Sequence, residues 1–138
     1  MKYIDIQNEI VKKYRIDLCD GTKCKDGDWS RTHAHTKQRR VCKWCQKNSF
    51  QSTFTLLHEI GHIENNDGQM RRAEQEYYAT IWAIRECNKY GLKVDNKTIK
   101  EYQDYIDEEV ARGIRRGGTN YRTMQLKQTM ECVKNQFC

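Results

Sequence analysis

The spacing of apolar residues predicts a helix, a loop and a hairpin over the first third of the chain. Helical spacing near the start predicts a short amphipathic helix on Ile4, Ile6, Ile10, Val11 and Tyr14. The stretch "CDGTKCKDGDWS", from Cys19 to Ser30, is rich in Asp and Gly and predicts a loop. In "RTHAHTKQRRVCKWC", from Arg31 to Cys45, β-branched and aromatic residues alternate loosely with charged ones. This alternation predicts a two-stranded hairpin that turns near Lys37 and Gln38.

Three longer helices are predicted in the rest of the chain. Asn48 or Ser49 can cap the first of them, whose buried face is expected to carry Phe50, Phe54, Leu57 and Ile60 or Gly61. The next runs from about Met70 to Tyr90 and stops at Gly91. The last starts at Asp95 or Asn96, places Ile99, Tyr102, Ile106, Val110 and Ile114 on one stripe, and ends at Gly117 and Gly118. The residues after Tyr121 are only weakly helical in pattern.

Length favours a single small domain over residues 1–138, and the composition has a helix-rich balance. Its expected parts are a basic N-terminal region (1–47), the helices around residues 48–91 and a helical C-terminal part (95–138). No apolar run approaches the roughly 20 residues that span a bilayer, and the start does not resemble a signal peptide. We therefore expect a cytoplasmic protein without a membrane partner, whose seven cysteines are thiols, core residues or metal ligands.

The net charge of +6 is concentrated in the first third of the chain. Residues 1–47 hold 12 Lys and Arg against 6 Asp and Glu, whereas residues 48–138 hold 13 of each. An acidic protein or a nucleic acid would suit this excess. The basic residues are not interleaved with stacking aromatic residues, so a solvated basic face is the favoured interpretation. The arginine-rich segment from Arg112 to Arg122 is interpreted in the same way, as a solvated helix end.

The segment "TLLHEIGHIENN" contains the metal-binding pattern His-Glu-x-x-His. A spacing of four puts His58 and His62 one helical turn apart on the same face, where both imidazoles can reach one metal ion. Zinc suits neutral imidazole ligands. Glu59 would lie beside the metal and could take a proton from bound water, as hydrolysis requires. The alternative is a structural helix with two surface histidines.

Two histidines leave zinc undercoordinated, so a third protein ligand is expected downstream. Glu64 would point away from the metal, about 200° around the same helix, and Asp67 is better explained by its "NNDG" turn. Glu76 shares a helix face with the small residues Ala79, Thr80, Ala83 and Cys87, which would allow close packing near Gly61. Glu76 is therefore the predicted ligand, and Glu74 is the alternative ligand or an orienting group.

The motif "FTLLHEIGHI", followed by Glu76, Ala79, Trp82 and Ala83, resembles the ImmA/IrrE-type zinc metallopeptidases, particularly their small phage and mobile-element members. The resemblance covers about 40% of the chain, from Arg31 to Ile84, with tryptophan where the family usually has phenylalanine. It implies a zincin-like α+β fold, mostly helical, with a small antiparallel sheet or hairpin before the motif helix. It also implies cleavage of a repressor or another regulatory protein that binds at the sheet edge in the host bacterial cytosol.

Further candidates surround this motif. His33 and His35 lie two apart on one strand face and could stabilise the oxyanion of a transition state, as could Tyr77 and Tyr78. Surface histidines are an equally good interpretation of the first pair. A second, structural zinc is conceivable on four cysteines, namely Cys19, Cys24, Cys42 and Cys45. An uninterrupted strand would separate the last two, so ordinary core and loop cysteines are favoured over such a site.

The leading hypothesis from sequence is thus a zinc-dependent endopeptidase acting on a cytosolic regulatory protein or peptide. Zinc is held by His58, His62 and Glu76, and Glu59 is the general base. The alternative is a non-catalytic, zinc-containing regulatory or nucleic-acid-binding module of a phage or mobile element.

Overall fold

The structure, a computed structural model, describes residues 2–20, 31–65 and 72–115. It divides into two compact units, Met1–Asn66 and Asp67–Cys138. The elements of the first unit are α1 (Tyr3–Lys13), β1 (Asp17–Cys19), β2 (His33–His35), β3 (Arg40–Cys42) and α2 (Phe50–Glu64). The elements of the second unit are α3 (Arg72–Lys89) and α4 (Asn96–Arg115).

The first unit contains a three-stranded sheet in the order β1-β3-β2. β2 and β3 form the predicted antiparallel hairpin, with Ala34 opposite Val41, and β1 pairs with β3 in parallel. Arg39 and Lys43 flank β3 with positive φ values of 51° and 58°, a conformation that non-glycine residues adopt mostly at turns. These two residues limit β3 to three positions, because the left-handed conformation interrupts the extended chain at both ends.

Helix α1 is attached to α2 by one buried polar side chain. The amide nitrogen of Gln7, which has no exposed surface, donates hydrogen bonds of 2.8 Å to the Lys47 carbonyl and to Thr53 Oγ1. The hydroxyl of Ser49 accepts from the Ser52 backbone N–H at 3.2 Å and caps α2, which satisfies one of the N–H groups left over at a helix start. Of the two predicted caps, Ser49 is confirmed.

The second unit is a helix pair whose apolar contact lies along one side of α3. Ala73, Tyr77 and Ile81 form a buried cluster with Ile106 and Val110 of α4. The predicted end of α3 is confirmed, since Gly91 follows it with a φ of 71°.

The start of α4 is also confirmed. The carboxylate of Asp95 accepts the Thr98 backbone N–H at 2.8 Å. Hydrogen bonds from the Thr98 side chain and from its backbone N–H lower the pKa of the Asp95 carboxyl, as a cap that favours the charged form should.

The mixed α+β class, the dominance of helices and the hairpin before the motif helix are confirmed. Strand β1 was not predicted. Residues 21–30 of the predicted loop, the helix stop at Gly117 and Gly118 and the segment after Tyr121 lie outside the described residues. Among the helices of the described ranges, none has the length and apolar character needed to span a membrane.

Candidate metal centre

His58 and His62 lie one turn apart on α2, as the His-Glu-x-x-His spacing predicts. Their ring centroids are 4.8 Å apart with an interplanar angle of 87°, and their ligating nitrogens lie within 4.8 Å of each other. His58 is 6% exposed and His62 is partly exposed. One imidazole is therefore fixed in the interior while the other reaches the surface, so a metal ion between them would remain accessible to a substrate.

The helix that carries this pair has a fully buried apolar face. Leu56, Leu57 and Ile60 have no exposed surface, and Phe54 has almost none. Their burial fixes the rotation of α2 about its axis, which decides where the two imidazoles point. This burial confirms Phe54, Leu57 and Ile60 of the predicted inner face, whereas Phe50 is only partly buried.

Glu59 and Glu64 occupy the same helix but have different surroundings. The Glu59 carboxylate is 15% exposed, with Oε1 3.9 Å from His58 Nδ1, so it lies beside the imidazole pair. Glu64 instead forms an ion pair with Arg39, whose guanidinium also donates to the Tyr14 carbonyl at 2.8 Å. Glu64 therefore ties α2 to the turn of the hairpin, which agrees with its exclusion as a ligand.

Both candidate third ligands are buried carboxylates on α3. Glu74 is 3% exposed and Glu76 is 4% exposed. Burial of a charged carboxylate is costly unless a cation or hydrogen-bond donors compensate for it. For Glu76 one compensating cation is Arg72, whose Nε lies 3.5 Å from Oε1, although the Arg72 side chain is 58% exposed. Both positions thus have the burial expected of a metal ligand.

The two carboxylates differ in their position around α3. At 100° per residue, Glu76 shares a side with the buried small residues Thr80, Ala83 and Cys87. Glu74 lies nearer the side that packs on α4 through Ala73, Tyr77 and Ile81. The predicted side of small residues is therefore present on α3, and Glu74 lies away from it.

The tyrosines proposed as oxyanion donors are separated by environment. The Tyr77 ring is buried in the cluster between α3 and α4, whereas Tyr78 is 39% exposed. Their ring centroids lie 5.0 Å apart. Tyr77 has a packing role that accounts for its burial, and the accessible phenol of this pair is that of Tyr78.

The hairpin brings a second group of metal-binding side chains together. The ligating atoms of His33, His35 and Cys42 all lie within 4.8 Å of one another. His33 is directly opposite Cys42 in the β2–β3 register, and the two imidazole centroids are 5.0 Å apart. His33 is 7% exposed, which does not fit the surface-histidine interpretation, whereas His35 is of intermediate exposure.

This three-residue group was missed at the level of sequence, although a signal for it exists. A hairpin that turns between Lys37 and Gln38 pairs residues whose numbers sum to 75, and this rule places His33 opposite Cys42. Without that register, the sequence indicates only oxyanion stabilisation for the two histidines and a four-cysteine site for Cys42.

The four-cysteine zinc site is not the arrangement found. Cys42 is disulfide-bonded, and a disulfide sulfur is not the thiolate that zinc requires. Cys19 carries a buried thiol and Cys45 an exposed one, while Cys24 lies outside the described residues. The positive φ of Lys43 ends β3 before Cys45, so the uninterrupted strand that would have put Cys42 and Cys45 on opposite faces is not present. The disulfide also differs from the expectation that the cysteines are reduced.

Several arginines of the basic N-terminal region and of the arginine-rich segment have acidic partners within the protein. Arg39 binds Glu64, and Arg40 Nε lies 2.7 Å from Asp17 Oδ2. In the described part of the arginine-rich segment, Arg112 pairs with Glu108 and Glu109 of the same helix. These ion pairs reduce the positive surface available to a nucleic acid or an acidic peptide.

Comparison with known proteins finds no matching family model, and no significant match among curated proteins or solved structures.

Proposed function

We propose that this protein is a zinc-dependent endopeptidase whose metal is held by His58, His62 and Glu76. The observation that carries the proposal is the paired imidazoles of α2 with a carboxylate next to them in sequence and in space. Two nitrogen ligands and one carboxylate form a common donor set of hydrolytic zinc and leave a coordination position for the reaction. The resemblance of the motif region to ImmA/IrrE-type peptidases supports the same activity.

The donor atoms present suit zinc better than the common alternatives. Magnesium and calcium prefer oxygen ligands, whereas imidazole nitrogens favour zinc and later transition metals. The low exposure of His58 suits a permanent ligand, because a buried and oriented imidazole loses little conformational entropy when it binds. Zinc would supply Lewis acidity, lowering the pKa of a water molecule towards about 7.

Glu59 supplies the proton transfers in this proposal. Its carboxylate would take a proton from the attacking water and later deliver it to the leaving amine. Its position 3.9 Å from His58 Nδ1 keeps it beside the first ligand. Its partial exposure of 15% leaves room for water and a substrate to approach.

The choice of Glu76 as third ligand rests on properties of α3 itself. Glu76 is buried together with the small side chains of Thr80, Ala83 and Cys87. Small neighbours leave room for another element close to the α3 backbone. A carboxylate on α3 needs that room to share a metal ion with ligands from another element. Glu74 lies nearer the α4-packing side, so its proposed role is to orient a ligand or to serve as the alternative ligand.

The substrate class proposed is an extended segment of a regulatory protein in the bacterial cytosol. The zincin-like architecture implied by the resemblance places such a segment at the edge of the sheet. Main-chain hydrogen bonds to an edge strand provide affinity there, and side-chain pockets provide selectivity.

A peptide-library assay tests the proposed activity. The zinc-loaded protein is incubated with a proteome-derived peptide mixture, and new peptide termini are identified by mass spectrometry. We expect new termini with the parent protein and a loss of about 10²–10⁴-fold in their rate of formation with Glu59→Gln. Zinc content should remain near one per chain when the metal is loaded under non-reducing conditions.

Glu64→Gln is the matched control, because it makes the same chemical change on the same helix in a carboxylate engaged with Arg39. It should cleave like the parent protein. The proposal fails if the parent produces no new termini, or if Glu59→Gln produces them as fast as Glu64→Gln does.

A further inference from the structure

We propose that His33, His35 and Cys42 form a second metal site, specific for zinc or a similar thiophilic cation, that becomes available when the Cys42 disulfide is reduced. This strand site shares no residue with the α2 site. It includes a sulfur ligand, and its occupancy would depend on the oxidation state of Cys42. It does not depend on the peptidase activity proposed above.

The geometry of the hairpin carries the inference. Because β2 and β3 are antiparallel with His33 opposite Cys42, alternation places His35 on the same face of the sheet. All three ligating atoms lie within 4.8 Å of one another. In tetrahedral zinc with bonds of about 2.0–2.3 Å, ligand atoms are about 3.3–3.8 Å apart. Side-chain movements of about 1–1.5 Å would therefore close the site around an ion.

The backbone already orients one imidazole. His33 Nδ1 lies 2.9 Å from the Arg31 carbonyl oxygen. A carbonyl can only accept, so Nδ1 must donate, and in the neutral ring the lone pair then belongs to Nε2. Metal-binding histidines typically have this arrangement, in which one ring nitrogen donates to a backbone carbonyl and the other binds the ion.

The burial of these atoms favours a bound ion over a solvated surface pair. The Nε2 atoms of both His33 and His35 are shielded from solvent, and Cys42 has no exposed surface. Two nitrogens and one sulfur match zinc or copper(I), whereas magnesium and calcium require oxygen ligands. A water molecule or another thiol can complete the coordination.

The oxidation state of Cys42 would determine whether the strand site exists. In the structure Cys42 is disulfide-bonded. A dithiol reductant supplies the two electrons that break the S–S bond, becomes a disulfide itself and leaves two protein thiols. Binding of the cation to Cys42 then displaces the thiol proton. The strand site would therefore bind metal under reducing conditions and release it on oxidation.

Cobalt(II) binding tests this site separately from the α2 site. The protein is reduced with a dithiol, desalted without oxygen and titrated with cobalt(II), in parallel with unreduced protein. Thiolate ligation produces a charge-transfer band in the near ultraviolet, which histidine and glutamate ligands do not produce. We expect this band and about one additional bound equivalent only in the reduced protein.

Substitutions identify the ligands. Cys42→Ser should remove the band, and Cys45→Ser, a matched change at an exposed thiol outside the site, should retain it. His35→Asn keeps every cysteine and should weaken cobalt binding by at least about tenfold, so the proposal does not rely on Cys42→Ser folding. The proposal is overturned if reduced parent protein lacks the band, or if the band is unchanged in His35→Asn.

Discussion

The two histidine pairs of the first unit show how secondary structure selects chemistry. On α2, a spacing of four residues gives ring centroids 4.8 Å apart. On β2, a spacing of two gives 5.0 Å, with a similar edge-to-face geometry. The helix and the strand thus produce nearly the same separation from different sequence periods, because the side-chain period is 3.6 residues in one and 2 in the other.

The pairs differ in what accompanies them. The helix pair has Glu59 next to it in the chain, a group that can accept and donate a proton. The strand pair lies across the hairpin from Cys42, whose sulfur could bind metal only after its disulfide is reduced. We infer that the helix pair supports hydrolysis, and that the strand pair supports redox-dependent metal binding.

The largest expected contrast between the pairs is in peptide cleavage. His58→Asn should reduce cleavage of the peptide library by at least about a hundredfold, because it would remove a ligand of the proposed catalytic metal. His33→Asn should change it by no more than about threefold if the strand pair only binds a second metal. A loss of about 10²–10³-fold in His33→Asn would instead identify His33 as an oxyanion donor and break the comparison.

A smaller contrast is expected between the two buried carboxylates of α3, measured as zinc affinity in unreduced protein. Glu76→Gln should weaken zinc binding by about a hundredfold or more, because an amide is a poor substitute for a carboxylate ligand. Glu74→Gln should weaken it by about tenfold, as expected for a group that orients a ligand. Competition with a chromogenic chelator measures both, and the reverse order would assign the ligand role to Glu74.

The last expected effect concerns Cys87, the buried free thiol of α3. Burial raises the pKa of Cys87 from 9.0 to about 12. The native protein therefore keeps this proton while the unfolded chain loses it, so the free energy of unfolding should fall as pH rises from 9.0 towards about 12.

Urea denaturation over this pH range would measure that loss, which Cys87→Ala should reduce. At neutral pH, iodoacetamide should modify Cys45 and not Cys87, because Cys45 is exposed. Modification of both at equal rates would contradict the assigned burial.

The sequence predicted those parts of the fold that depend on local patterns. The helices, the Ser49 cap, the Gly91 stop and the hairpin follow from apolar periodicity and from residues with defined backbone preferences. Strand β1 was missed because "DLC" is only three residues long and its pairing partner lies 23 positions downstream. Pairing at such a distance leaves no local signal.

The candidate sites also divide into residues that local spacing predicts and residues that it does not. His58, Glu59 and His62 were found because a helix places residues four apart together, and this spacing is visible in the sequence. The group around Cys42 depends on register across a turn, and its oxidation state is not encoded locally at all. A choice between Glu74 and Glu76 requires the rotation of α3, which apolar periodicity only suggests.

The short central strand limits what this sheet could recognise. Because β3 is bonded on both sides within the described part of the chain, an added peptide strand has only the outer edges of β1 and β2 available, and each is three residues long. At about 3.3 Å per residue, such an edge spans about 10 Å. Only about three residues of a bound segment would pair with such an edge. Selection among proteins would then depend mainly on where a short motif is exposed, rather than on a long consensus sequence.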